Sequence, residues 1–115
     1  MIKVAVVYEQ GRIRSFTLSG HAESGPYGHD LVCSAVSAVA FGAVNAVLAL
    51  ADADLAIDQG EEGGYLSVAL QGSFTGSEME KAQLLLEGMI VSLETIERDY
   101  GSFLKINKEG GLPHA

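Results

Sequence analysis

A single cysteine, Cys33, and a histidine twelve residues before it, His21, are the residues of this chain best suited to covalent chemistry. A thiolate with an imidazole in reach is the minimum for cysteine nucleophilic catalysis. The sulfur attacks, the imidazole holds and returns the proton, and N–H donors stabilise the oxyanion. Both residues stand in the stretch GHAESGPYGHDLVCSAVS, residues 20–37. His21 is expected at a strand end fixed by Gly20, and His29, four residues from Cys33, is the rival base. Asp30 reads as the N-cap of a helix. Cys33 then falls at the third helical position, where backbone N–H groups are unpaired and the helix dipole favours thiolate. Asp30 could also orient an imidazole. Ser37, one turn beyond Cys33 on the same face, either supports the thiol or bonds to the backbone four residues back. Gly25, Gly28 and His29 belong to a glycine-rich loop expected to be flexible and to cover the site.

On residue types alone, other readings stand beside catalysis. Cysteine is often a buried packing residue. His21, His29, Asp30 and Cys33 have the donor types that hold zinc, but structural zinc sites favour several cysteines, so the expectation is no metal and no cofactor. Redox sensing lacks a second cysteine to resolve a sulfenic acid. No phosphate-binding glycine motif sits between a strand and a helix, and there is no Gly-x-Ser-x-Gly elbow. The glycines of residues 60–64 read as a hairpin turn.

The elements that must position Cys33 follow from periodicity. IKVAVVYE (residues 2–9) and RIRSFTLS (residues 12–19) read as strands joined at Gln10-Gly11. A helix should run from Asp30 to about Ala51. Residues 54–59 and 65–71 form a second hairpin. Ser77 with Glu80 is a capping-box signature. It opens an amphipathic helix that carries Met79, Ala82, Leu85, Leu86, Met89, Ile90, Leu93 and Ile96 at three- and four-residue spacing. Phe103–Ile106 reads as a last strand and residues 108–115 as a frayed tail. The order β-β-α-β-β-α-β implies an α+β fold (α/β sandwich-like), with two helices packed on a mostly antiparallel sheet in one domain, residues 1–115.

Composition limits the partners. Seven basic against fifteen acidic residues give a net charge of −8, which disfavours direct nucleic-acid binding and suits a basic partner. One cysteine permits no internal disulfide and points to a reducing cytoplasm. The N-terminus is too short and too strand-like for a signal peptide. Leu31–Ala51 carries no formal charge over 21 residues, long enough for a membrane span. It lacks basic flanks and interfacial aromatic anchors, so the expectation is a buried central helix and no membrane.

The ordered set Gly20, His21, Ala22, Gly28, Asp30, Val32, Cys33, Ala35, Val36 and Ser37 resembles the ribosomal-processing cysteine proteases called Prp, and the likeness spans nearly the whole chain. The resemblance implies a cytoplasmic homodimer with a Cys–His dyad. Its activity would remove the N-terminal extension of a large-subunit ribosomal protein beside a pair of Phe residues, supporting ribosome assembly. Cys33 would be the nucleophile and His21 the base, with Asp30 and Ser37 supporting them and residues 22–29 moving to admit the peptide. Two positions depart from the family pattern: His29, where an acidic or small residue is expected, and Ser34, where Ala is more usual. The competing function is a non-catalytic acidic dimer that binds a ribosomal protein or assembly factor.

Overall fold

Strand β1 (Ile2–Glu9) buries Ile2, Val4, Val6 and Tyr8 and turns the alternate residues to the opposite face. Its partner β2 (Arg12–Ser19) follows through Gln10 and Gly11, both at positive φ (54° and 79°). That backbone matches the twist of antiparallel strands. The computed structural model describes residues 1–20, 26–60, 64–72 and 75–110, with residues 26–30 described by backbone only.

Register runs Val7 to Ser15 and then Tyr8 to Ile13, so Arg14 is the extra residue of a bulge. The Arg14 guanidinium donates from Nε to Glu9 Oε2 at 3.0 Å and from Nη1 to the Leu70 carbonyl at 2.9 Å. Gln83 closes the bulge from above. Its Oε1 accepts from Ile13 N–H, and its Nε2 donates to the Ile13 carbonyl, both at 2.8 Å.

Strands β3 (Leu55–Asp58) and β4 (Tyr65–Leu70) form the second hairpin, and β4 pairs antiparallel with β2. The last strand, β5 (Leu104–Gly110), pairs parallel with β1, so the sheet order is β3-β4-β2-β1-β5. Helix α1 (Pro26–Ala46) continues as a π-helical turn, Val47–Ala51, and α2 spans Ser77–Tyr100. Val32, Val36, Ala40, Val44 and Val47 meet Met79, Ala82, Leu86, Met89, Ile90 and Leu93 over the inward residues of the sheet in one core. Full burial of each large side chain contributes about 1.5–3 kcal/mol. Tyr8 is inside this core, where its hydroxyl donates to Glu87 Oε1 at 2.9 Å. Burial, then the Glu87 carboxylate, raise its pKa well above the ordinary phenol range.

The α+β architecture agrees with the expectation from sequence, with four corrections. Helix α1 starts at Pro26, not after Asp30. Proline at the first helical position loses no hydrogen bond and has its φ preset, so the helix takes in Gly28, His29 and Asp30. Only one face of α1 is buried. Leu31, Ser34, Ala38, Gly42 and Asn45 are exposed, as is Leu48 in the π-helical turn. Helix α2 is capped at Gly76 with no side-chain bond, so Ser77 is its first helical residue and not a capping-box serine. Strand β5 runs on to Gly110 because the eight residues of β1 offer it a register as far as Tyr8 opposite Gly110. There a Cβ would collide with the Tyr8 carbonyl, and Gly110 sits at φ 91°.

Candidate active site at Cys33

One end of the sheet and the early turns of α1 enclose a cavity of about 190 Å³. The helix contributes Cys33, Val36, Ser37 and Phe41. Cys33, Ser37 and Phe41 recur every four residues, which puts them on one helical stripe. The sheet contributes Ile2 from β1, Leu18 from β2, Leu66 and Tyr65 from β4, and Gln59 just beyond β3, with Gly20 and Gly64 at the strand ends. The strand ends are tied by a bond from Gly20 N–H to the Gly64 carbonyl at 3.0 Å. Gly20 has φ 92°, and a Cβ there would collide with the Met1 carbonyl, so only glycine lets β2 end against the N-terminus in this way.

Cys33 is half-buried and lines the cavity between Val32 and Val36, both fixed in the core. Ser37 is exposed at the cavity wall. Among the described residues no charged side chain lines the cavity, and its polar groups come from Cys33, Ser37, Gln59 and Tyr65. A thiol held on a rigid helix beside an apolar recess can meet a peptide carbonyl while a substrate side chain fills the recess.

His21 and Gly25 lie outside the described residues, as do the side chains of Gly28, His29 and Asp30. The nearest described residue to His21 in sequence, Gly20, lines the same cavity as Cys33. Gly28 and His29 were expected in a loop, but their backbone belongs to α1. Asp30 is the fifth residue of α1 and therefore not its N-cap, and Cys33 is the eighth, not the third. The unpaired N–H groups and the dipole of a helix start act within the first turn. They do not reach the third turn, so the expected source of thiolate stabilisation and oxyanion donors is withdrawn. Three of the four zinc-type donors lie among these undescribed side chains. Among the described residues no group of three His, Cys, Asp or Glu forms a metal site.

Phe41, Gln59 and Tyr65 were missed from sequence. Phe41 carried a signal, since it stands two helical turns after Cys33. Gln59 and Tyr65 arrive through the β3–β4 hairpin, whose register against β2 no local pattern gives.

The profile of the family described as cysteine protease Prp matches residues 1–105. The ribosomal processing cysteine protease Prp of Bacillus subtilis (strain 168) is 53% identical over 94 residues, covering 82% of this chain and 84% of the relative. The crystal structure of the essential ribosomal processing protease Prp from S. aureus with a covalently linked product peptide superposes with a TM-score of 0.83 at 35% identity, covering 95% of this chain and all of the other. The same protease with a substrate peptide gives a TM-score of 0.81 at 34% identity, covering 95% of this chain and 100% of that one. A non-catalytic binding module gives way on these findings. The chain belongs to the Prp family of ribosomal processing cysteine proteases and is a cysteine endopeptidase.

Proposed function

We propose that Cys33 is the nucleophile and His21 the base of a peptidase that removes the N-terminal extension of a large-subunit ribosomal protein in the cytoplasm. The observation that carries this reading is the half-buried Cys33 in a cavity also lined by Gly20, the residue before His21. His21 takes the thiol proton as sulfur attacks the scissile carbonyl carbon. The S–C bond forms and the carbonyl oxygen becomes an oxyanion. The imidazolium then gives its proton to the leaving amide nitrogen, the C–N bond breaks, and a thioester remains on Cys33. Water, deprotonated by His21, attacks the thioester, releasing a carboxylate and restoring the thiol. The covalently linked product peptide of the staphylococcal relative supports this covalent route. Ser37, on the same stripe as Cys33, and Asp30 are assigned supporting roles.

The substrate's basic character suits a chain of net charge −8. A second copy of the chain is proposed as the other partner. The outer face of α1 from Leu31 onward carries no charge and supports this, because two acidic chains can meet there without like charges opposed. Burial of Val32, Val36, Ala40, Val44 and Val47 in the core supports α1 as part of a soluble domain, not a membrane span. The proposed domain is the whole chain.

The test is the intact mass of the purified ribosomal precursor before and after incubation with the full chain, with Cys33→Ala and His21→Ala alongside. Loss of an N-terminal peptide with wild type alone is the expected result. An unchanged precursor with reduced wild-type protein overturns the substrate assignment, and cleavage by Cys33→Ala overturns the assignment of the nucleophile.

A further inference from the structure

Among the described residues the outer side of β3 has no neighbour in the sheet, since β3 ends the order β3-β4-β2-β1-β5. Which of its backbone groups face outward follows from the ladder. Gln71 N–H donates to the Asp54 carbonyl at 2.9 Å, so Asp54 and Gln71 form a hydrogen-bonded pair. Antiparallel ladders alternate bonded and non-bonded pairs, so Ala56 with Ala69 and Asp58 with Ser67 are the next bonded pairs. Leu55 and Ile57, opposite Leu70 and Val68, therefore turn their N–H and C=O away from β4. The far side of β4 agrees, because the Leu70 carbonyl points to β2 and accepts from Arg14 Nη1 at 2.9 Å. Two residues of one strand thus present donors and acceptors with the spacing that an added strand requires.

This edge leads to the thiol. Gln59, the residue after β3, lines the cavity that holds Cys33. A strand advances about 3.3 Å per residue, so Ile57 is only about 7 Å of chain from Gln59. Ile57 shares the helix-covered face of the sheet with Val68, yet it is 40% exposed, leaving apolar surface on the approach to the cavity.

Charge selects among occupants. Residues 52–62 include Asp52, Asp54, Asp58, Glu61 and Glu62 and no Lys or Arg. Asp52, Asp54 and Asp58 are exposed. A second copy pairing edge to edge would bring two such acidic segments together, whereas a basic extended peptide would neutralise them.

We infer that the outer edge of β3 is a docking strand for the extended, basic segment of the substrate polypeptide that flanks the scissile bond. The segment hydrogen-bonds to the backbone of Leu55 and Ile57 and continues past Gln59 to Cys33. This inference rests on the reading of Cys33 as the nucleophile. No group in the recognition is titrated or transferred, so the edge acts on binding and alignment alone.

The experiment uses the full chain and a synthetic peptide spanning the cleavage region of the ribosomal precursor, together with the same peptide N-methylated at one backbone amide at a time. With wild type, methylation at every second amide of the flanking segment should lower kcat/KM about tenfold, the loss expected for one backbone hydrogen bond, with small effects between. Ile57→Pro removes one outward N–H and no β3–β4 bond, a place where edge strands tolerate proline. It should lower kcat/KM about tenfold on the unmodified peptide, and the methyl group that faces Ile57 should still add its own loss, because the carbonyl at position 57 is retained. Its melting temperature and the rate of Cys33 alkylation by iodoacetamide should stay those of wild type. The wild-type methylation scan needs no variant to fold. Asp52→Asn with Asp54→Asn should flatten the dependence of KM on salt. A featureless methylation scan on a peptide that wild type cleaves overturns this inference and leaves the nucleophile assignment standing. So does wild-type kcat/KM in a folded Ile57→Pro. A dimer that Ile57→Pro dissociates with no change in KM gives the edge to a second copy instead. Absence of any cleavage by wild type removes the substrate reading and this inference together.

Discussion

The two edges of the sheet are finished in different ways. At β5 the edge is tied to α2: Ile106 N–H donates to Glu97 Oε2 at 2.8 Å, and the Lys108 side chain places Nζ 3.3 Å from Glu94 Oε2. At β3 the strand is four residues long, with Leu55 and Ile57 turned outward beside exposed acids. An open edge is a hazard that proteins usually cover, shorten or charge. Here one edge lies along α2, while the other, open among the described residues, borders the cavity of Cys33. The contrast separates stability from recognition. Side chains that close β5 hold the fold together, and side chains near β3 face whatever enters the cavity.

Substitutions at the two ends should therefore have opposite signatures. The largest effect belongs to the thiol. Cys33→Ala should lower kcat by about 10⁴-fold or more while the melting temperature shifts little, because Cys33 is only half-buried and alanine suits a helix. Steady-state cleavage and calorimetry on one preparation check both halves. His21→Ala should cost about 10²–10⁴-fold in kcat, the range of a general base, with KM nearly unchanged.

On the α2 side activity should survive and stability should fall. Gln83→Ala strands both Ile13 backbone groups at the bulge and should destabilise by about 2 kcal/mol in urea unfolding. Glu97→Ala leaves one edge N–H to water and should cost about 1 kcal/mol, with kcat/KM of wild type. An activity loss in Glu97→Ala as large as in Cys33→Ala would erase the contrast between the edges.

Tyr8→Phe is the mildest change, about 1 kcal/mol near neutral pH, from the lost bond to Glu87. Its pH dependence carries a sign. The folded-state pKa of Tyr8 is raised, so its contribution is whole below the ordinary phenol value of about 10 and is lost as pH climbs above it. Urea midpoints at pH 9 and pH 11 should fall more for wild type than for Tyr8→Phe. Equal falls would contradict the burial of the hydroxyl.

How much of this could be read from the sequence depended on the range of the signal. The β-branched and aromatic residues of β1, the alternation in β4 and the spacing of Met79, Ala82, Leu86 and Leu93 in α2 marked those elements, because residue shape and side-chain period report directly on a buried face. Cys33 and Ser37 were legible together because four residues make a helical turn. The start of α1 was misplaced because Asp30 looks like a cap, whereas Pro26 is the stronger signal. The parallel pairing of β5 with β1, and the arrival of Gln59 and Tyr65 beside Cys33, depend on which strands meet. Periodicity is blind to that. The exposed, uncharged side of α1 shows the converse error: a run without charges was read as burial all round, when serine, alanine, glycine and asparagine can face outward.

The most direct test of Cys33 as the nucleophile is to catch the bond it makes. Wild-type protein mixed with the precursor peptide is quenched in acid within the first turnover, digested, and sequenced by tandem mass spectrometry. A thioester joining the N-terminal fragment of the substrate to Cys33, absent in Cys33→Ala, is the predicted result. Product formed with no acyl adduct at Cys33, or cleavage by Cys33→Ala at the wild-type rate, would contradict it.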